Sequence, residues 1–162
     1  MVALLSFVAS IASRLAFVLT GEEWLEPFSY LFATTTLAWA TIFLFLSLFE
    51  AKGVTSTTMW KAISVYILIG LTWASVFTIV ETTSPGSFED TSLPDATMNL
   101  PTFIYYSFVT LATLGYGDIV PMSQEARGLV IMEVLTGVLY MAILISRLVG
   151  TWRPRRKDEE KE

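Results

Sequence analysis

The chain contains no cysteine and no histidine. Disulfides and thiolate metal sites are therefore excluded, as are a histidine zinc site and any histidine-based triad. Charge is scarce: 15 acidic and 10 basic residues leave a formal net charge of −5 over 162 residues. The basic residues form no face. Their one dense cluster is Arg153-Pro154-Arg155-Arg156-Lys157, which argues against a nucleic-acid partner. Apolar residues dominate, at 54% of the chain, and the mean hydropathy is +0.61. Such a composition belongs to a membrane protein and not to a water-soluble domain.

Four segments are long and apolar enough to span a bilayer, which takes about 20 helical residues. They run from Met1 to Leu19, Phe28 to Phe49, Trp60 to Val80 and Gly128 to Gly150. A fifth stretch, Pro101 to Ala112, is too short to cross and reads as a re-entrant helix, tolerated only within protein or beside water. Asn99 or Thr102, with Pro101 early in the first turn, marks its start. Thr82 to Leu100 is rich in Thr, Ser, Pro, Gly and Asp and reads as an exposed loop. The first span lacks a basic start and a clear cleavage site, so it reads as a retained helix and not a signal peptide. The expected fold is an all-α membrane protein with four transmembrane helices, a re-entrant helix and the loop that follows it.

Orientation follows from the loops. Lys52 and Lys61 flank the second loop, and the basic tail follows the last span, whereas Glu22, Glu23 and Glu26 crowd the first loop. Glu81, Glu89, Asp90 and Asp95 crowd the third. Lys and Arg concentrate on cytoplasmic flanks, which puts both termini in the cytoplasm. Arg127 is the exception. Arg14, inside the first span, is expected to snorkel to the outer interface, the other reading being a pair with a carboxylate such as Glu22 or Glu23. Neither of the first two spans carries the repeated Arg or Lys of a voltage sensor. Several of Trp24, Trp39, Trp60, Trp73 and Trp152 lie near span ends, as membrane anchors do.

The most specific string is Thr113-Leu114-Gly115-Tyr116-Gly117-Asp118, between the short helix and the last span. Turning successive carbonyls toward one axis needs alternating unusual dihedrals, and Gly115 and Gly117 sit at alternate positions where a positive φ has no Cβ penalty. A row of such carbonyls can replace the water around a bare ion. The motif occurs once, so one chain cannot encircle an ion. A cyclic homotetramer is the simplest closed solution.

From Trp60 to Gly150 the chain resembles the pore module of tetrameric potassium channels, with outer helix, pore helix, selectivity filter and inner helix. The resemblance divides the chain into two peripheral helices (1–58), a pore module (59–152) and a short charged cytoplasmic tail (153–162). It implies a non-enzymatic, potassium-selective channel in a cell membrane, with K⁺ as the permeant ion and no organic cofactor. A weakly selective cation channel and a non-conducting accessory subunit are the alternatives. By the resemblance, carbonyls of Thr113, Leu114, Gly115 and Tyr116, with the Thr113 hydroxyl, line the ion sites, and Gly117 turns the chain outward. Tyr116 packs against the pore helix, and Asp118 bonds an aromatic of that helix, either Tyr105 or Tyr106. Leu114 stands where valine is commonest, and Val109 where some relatives place a buried glutamate.

Glu133, a carboxylate within the last span, is expected to take that glutamate's place by bonding a Ser107 or Thr110 hydroxyl, since an intramembrane charge is costly unless functional or paired; facing a water-filled crevice without effect on conduction is the other reading. Gly137 aligns with the family's hinge glycine, for which close helix packing is the other reading. Val138, Met141 and Ile145 are expected to face the inner cavity. No gating ligand can be named.

Overall fold

The structure, a computed structural model, describes residues 2–21, 25–50, 55–93 and 97–151. Five helices follow in chain order: α1 (Val2–Thr20), α2 (Leu25–Glu50), α3 (Ser56–Thr83), α4 (Leu100–Leu111) and α5 (Gln124–Thr151). Two strands, β1 (Phe88–Asp90) and β2 (Ile119–Pro121), flank α4 in sequence. Glu22, Glu23, Trp24, Lys52, Asp95, Trp152 and the tail 153–162 lie outside the described residues, as do the side chains of Arg14 and Glu26. The expectations for the first loop, the basic tail and Arg14 fall there.

Among the described residues, three helices are long and apolar enough to cross a membrane: α2 over Pro27–Phe49, α3 over Ser56–Thr83 and α5 over Gln124–Arg147. The 12 residues of α4 measure about 18 Å at 1.5 Å per residue, against a hydrocarbon core about 30 Å thick. Local chemistry sets the helix starts. Thr55 caps α3 by accepting the Thr58 N–H at 3.3 Å, so this helix begins ahead of Trp60. Asn99, and not Thr102, caps α4: its Oδ1 accepts the Thr102 N–H at 3.2 Å and the Thr102 hydroxyl at 3.0 Å. Pro101 follows in the first turn, where its missing N–H has no intrahelical partner to lose.

Hydroxyls inside the apolar helices satisfy themselves locally. Thr34, Thr35 and Thr36 of α2 each donate to the carbonyl four residues back, at 2.7, 2.7 and 2.9 Å. The threonine run therefore leaves no unpaired hydroxyl in the span.

The short helix α4 is wedged between α3 and α5 by two clusters. An aromatic cluster joins Phe77 of α3, Phe88 of β1 and Phe103 and Tyr106 of α4. Within it, the Phe88 ring lies 5.0 Å from Phe103 and 5.3 Å from Phe77. A second cluster joins Leu48 of α2, Ala62, Val65 and Ile69 of α3, Leu111 of α4 and Tyr140 of α5. There the Tyr140 hydroxyl donates to the Ala62 carbonyl, tying α5 to α3.

The fold is mostly helical, as expected of an all-α membrane protein. Beside the helices, β1 and β2 pair antiparallel with Phe88 opposite Pro121, Glu89 opposite Val120 and Asp90 opposite Ile119. One expectation needs correction. The stretch 82–100 is not simply an exposed loop, since α3 continues to Thr83 and Ser87 and Phe88 are buried. Three-residue strands are too short to show a hydrophobic period. Their pairing depends on contacts about thirty residues apart in sequence, so composition alone reads as loop.

Candidate functional site

The end of α4 delivers the glycine motif. The last turn closes with Ala112 N–H donating to the Phe108 carbonyl at 3.0 Å and Thr113 N–H to the Thr110 carbonyl at 2.9 Å. Leu114 N–H then donates to the Val109 carbonyl at 2.9 Å. Beyond this point the backbone alternates. Thr113, Gly115 and Gly117 have φ of 58°, 56° and 77°, and Thr113 is the one non-glycine with positive φ among the described residues. A Cβ built on Gly115 or Gly117 meets nothing within 4 Å. Dihedral strain, not space, is therefore what asks for glycine at these two positions. A left-handed threonine costs about 1–2 kcal/mol, and the bonds at the end of α4 hold Thr113 in that state.

The C-terminal end of the motif is held from two sides. Tyr105 of α4 donates its hydroxyl to Asp118 Oδ2 at 2.5 Å, and Asp118 Oδ1 accepts the Ile119 N–H at 3.0 Å. The carboxylate stabilises the protonated phenol and pushes Tyr105 up to about 12. Of the two candidate aromatics, Tyr105 is the partner, while Tyr106 points into the aromatic cluster. From the other side Thr91, just after β1, donates its N–H to the Asp118 carbonyl at 2.7 Å. Its hydroxyl lies 3.1 Å from the Gly117 carbonyl oxygen and 3.0 Å from that of Asp118.

Behind α4, Glu133 of α5 has no solvent exposure. Its Oε1 lies 2.5 Å from Ser107 Oγ, which also lies 2.8 Å from the Gly70 carbonyl oxygen of α3. One serine links three helices. Ser107 has a single hydroxyl hydrogen and two acceptors in reach. If it donates to Gly70, the hydrogen in the short contact comes from the carboxyl of Glu133. Oε2 of Glu133 has no hydrogen-bond partner among the described residues.

Two glycines allow the helices to approach. A Cβ on Gly70 would meet the Phe108 ring at 2.8 Å, and one on Gly137 would meet the Leu111 carbonyl oxygen at 2.7 Å. Close packing is thus by itself a sufficient reason for glycine at position 137. Val138, Met141 and Ile145 share one face of α5 and are exposed in the single chain. Leu114 and Tyr116 are 55% and 66% exposed, so the packing expected of Tyr116 is not made within its own chain.

The structure brings Tyr105, Asp118, Ser107, Glu133 and the glycine motif around α4. Sequence reasoning missed Thr91, Gly70 and the left-handed Thr113. Thr91 carried no signal, being one hydroxyl residue in a Ser, Thr and Asp-rich stretch. Gly70 offered a weak one, as a glycine inside an apolar helix.

Apolar helices long enough to cross a bilayer, packed around a short helix that ends in a turn of alternating φ, define a membrane pore protein. Residues 67–152 match the ion channel family model, more than half of the chain, and the chain belongs to that family. The family is one of ion channels. Several relatives are named as potassium channels. Two-pore potassium channel 4 of Arabidopsis thaliana is 46% identical over 28% of this chain and 16% of its own length. The voltage-gated potassium channel Kch of Escherichia coli (strain K12) is 38% identical over 32% of this chain and 12% of its own. Inward rectifier potassium channel Kirbac3.1 of Paramagnetospirillum magnetotacticum is 32% identical over 49% of this chain and 23% of its own. The chain spans less than a quarter of each of these three. No solved structure gives a significant match.

Proposed function

We propose that the chain forms a potassium-selective channel that conducts K⁺ passively through a filter made by four identical copies in a cell membrane. The observation that carries this reading is the alternation of φ at Thr113, Gly115 and Gly117. That alternation suits a column of carbonyls from Thr113, Leu114, Gly115, Tyr116 and Gly117, with the Thr113 hydroxyl, standing in for the hydration shell of K⁺. Asp118, Tyr105, Tyr106, Thr110 and Glu133 support the column from behind.

The apolar surface left bare by one chain favours several copies. Tyr116 and Leu114 stand exposed, and a cleft of about 340 Å³ opens beside the motif between Tyr106, Val109, Thr110 and Val134. A neighbouring copy gives such side chains a packing partner, and closed rings are the usual solution. In this arrangement α1 is a fourth span, both termini lie in the cytoplasm and the filter opens outward. Residues 1–58 flank the pore module 59–152. Val138, Met141 and Ile145 line the inner cavity, and Gly137 is where α5 bends on opening.

Flux into liposomes holding the purified protein tests the reading, with K⁺ and Na⁺ gradients compared and Gly117→Asp as control. Uptake that follows K⁺, excludes Na⁺ and is lost in the control is the expected result. Equal K⁺ and Na⁺ uptake would move the assignment to a weakly selective cation channel. No uptake from an intact tetramer under any gradient would favour an accessory subunit.

A further inference from the structure

We propose that Thr91 is a positioning residue for the outermost ion site, acting through the Gly117 carbonyl. The inference rests on the filter reading above. Thr91 N–H already donates to the Asp118 carbonyl at 2.7 Å. The hydroxyl hydrogen is then left for the Gly117 carbonyl at 3.1 Å, alone or shared with Asp118 at 3.0 Å. A carbonyl oxygen has two lone pairs. With one engaged by Thr91, the Gly117–Asp118 peptide is held in one orientation and its other lone pair remains for an ion. Gly117 has positive φ and empty space where a Cβ would be, so its own side of the peptide offers no steric restraint.

Thr91 can do this because it stands on a rigid support. It follows β1, which is laddered to β2 immediately after the motif. At the start of β1, Phe88 is packed among Phe77, Phe103 and Tyr106, and the Glu81 carboxylate accepts the N–H groups of Gly86 at 2.8 Å and Phe88 at 3.0 Å. After Thr91, Asp90 Oδ1 accepts Ser92 N–H and Leu93 N–H, each at 2.9 Å, and the Ser92 hydroxyl at 2.6 Å. The outer segment is therefore a brace against the end of the filter. Pre-organised ligands bind more tightly than ligands that must be ordered at the moment of binding.

The test is the K⁺ concentration that gives half of the K⁺-dependent rise in thermal midpoint, measured on the purified full chain with Na⁺ as the reference salt. Thr91→Val keeps the shape and removes the donor. It is expected to raise that concentration at least about fivefold, the equivalent of one net hydrogen bond, over and above any ion-independent lowering of the midpoint in Na⁺. Thr91→Ser restores the wild-type value, and Ser92→Ala, which alters the same segment without touching the carbonyls, behaves as wild type. A wild type that responds to K⁺ but a Thr91→Val that titrates identically overturns the inference alone. So does a Thr91→Ser as impaired as Thr91→Val. A wild type with no preference for K⁺ over Na⁺ overturns the filter reading and this inference with it.

Discussion

Ser107 on α4 and Glu133 on α5 meet oxygen to oxygen at 2.5 Å, both without solvent exposure. Because the one Ser107 hydrogen also has the Gly70 carbonyl in reach at 2.8 Å, the pair holds α3, α4 and α5 together only if the carboxyl acts as donor. Glu133→Gln supplies an amide N–H in the same place and is expected to keep the thermal midpoint and K⁺ selectivity. Glu133→Ala removes the donor and leaves a cavity, at about 2–3 kcal/mol. Thermal unfolding of the two variants side by side decides this. A Gln variant as unstable as the Ala variant would overturn the donor assignment, since an amide N–H in the same place would then not suffice.

Tyr105 and Asp118 lock the C-terminal end of the motif to α4. Tyr105→Phe is expected to loosen it, lowering K⁺ over Na⁺ selectivity while leaving the helices intact. The pH dependence has a definite sign. The phenol rises from 10.0 to about 12 because its bond to Asp118 favours the protonated form. Its contribution is complete below pH 10 and disappears as pH climbs through about 12. Thermal midpoints of wild type and Tyr105→Phe, measured against pH, should converge over that interval and stay apart below it.

The two close-packed glycines separate by what stands opposite them. At Gly137 an added methyl meets the Leu111 backbone oxygen, which cannot move without shifting the end of α4. At Gly70 it meets the Phe108 ring, which can rotate. Gly137→Ala is expected to cost about 1–3 kcal/mol of overpacking, more than the roughly 1 kcal/mol that alanine contributes through helix propensity. Gly70→Ala should be milder. Circular dichroism melts of both proteins check the order, and a Gly137→Ala that is neutral would leave bending as the reason for glycine there.

Tyr140 gives a fourth test. Its hydroxyl donates to the Ala62 carbonyl in a buried setting. Tyr140→Phe keeps the ring against Tyr66 and Phe45 and deletes that bond. The expected loss is about 1 kcal/mol, read as a lower thermal midpoint without a change in helix content.

Parts of this were legible before any coordinates. Composition and run length pointed to α2, α3 and α5 as spans, because the bilayer demands apolar length and that demand is written locally. The start of α4 was readable because Asn99 and Pro101 act within one turn. The choice between Tyr105 and Tyr106 was not readable. Adjacent helical residues point about 100° apart, and which of them faces Asp118 depends on how α4 is rotated against α3. Thr91 was invisible for a related reason, since its partners lie 26 and 27 residues away.

The sequence by itself determined a membrane protein with a single Thr-Leu-Gly-Tyr-Gly-Asp turn after a short capped helix. Each of those features depends on hydropathy, capping or φ, which are properties of residues close in the chain. Only the tertiary structure decided that Glu133 reaches Ser107, that Gly137 lies against Leu111, and that β1 and Thr91 brace the end of the motif. Those pairings are set by how α3, α4 and α5 dock. Docking is a matter of side-chain fit and hydrogen-bond satisfaction across distant segments.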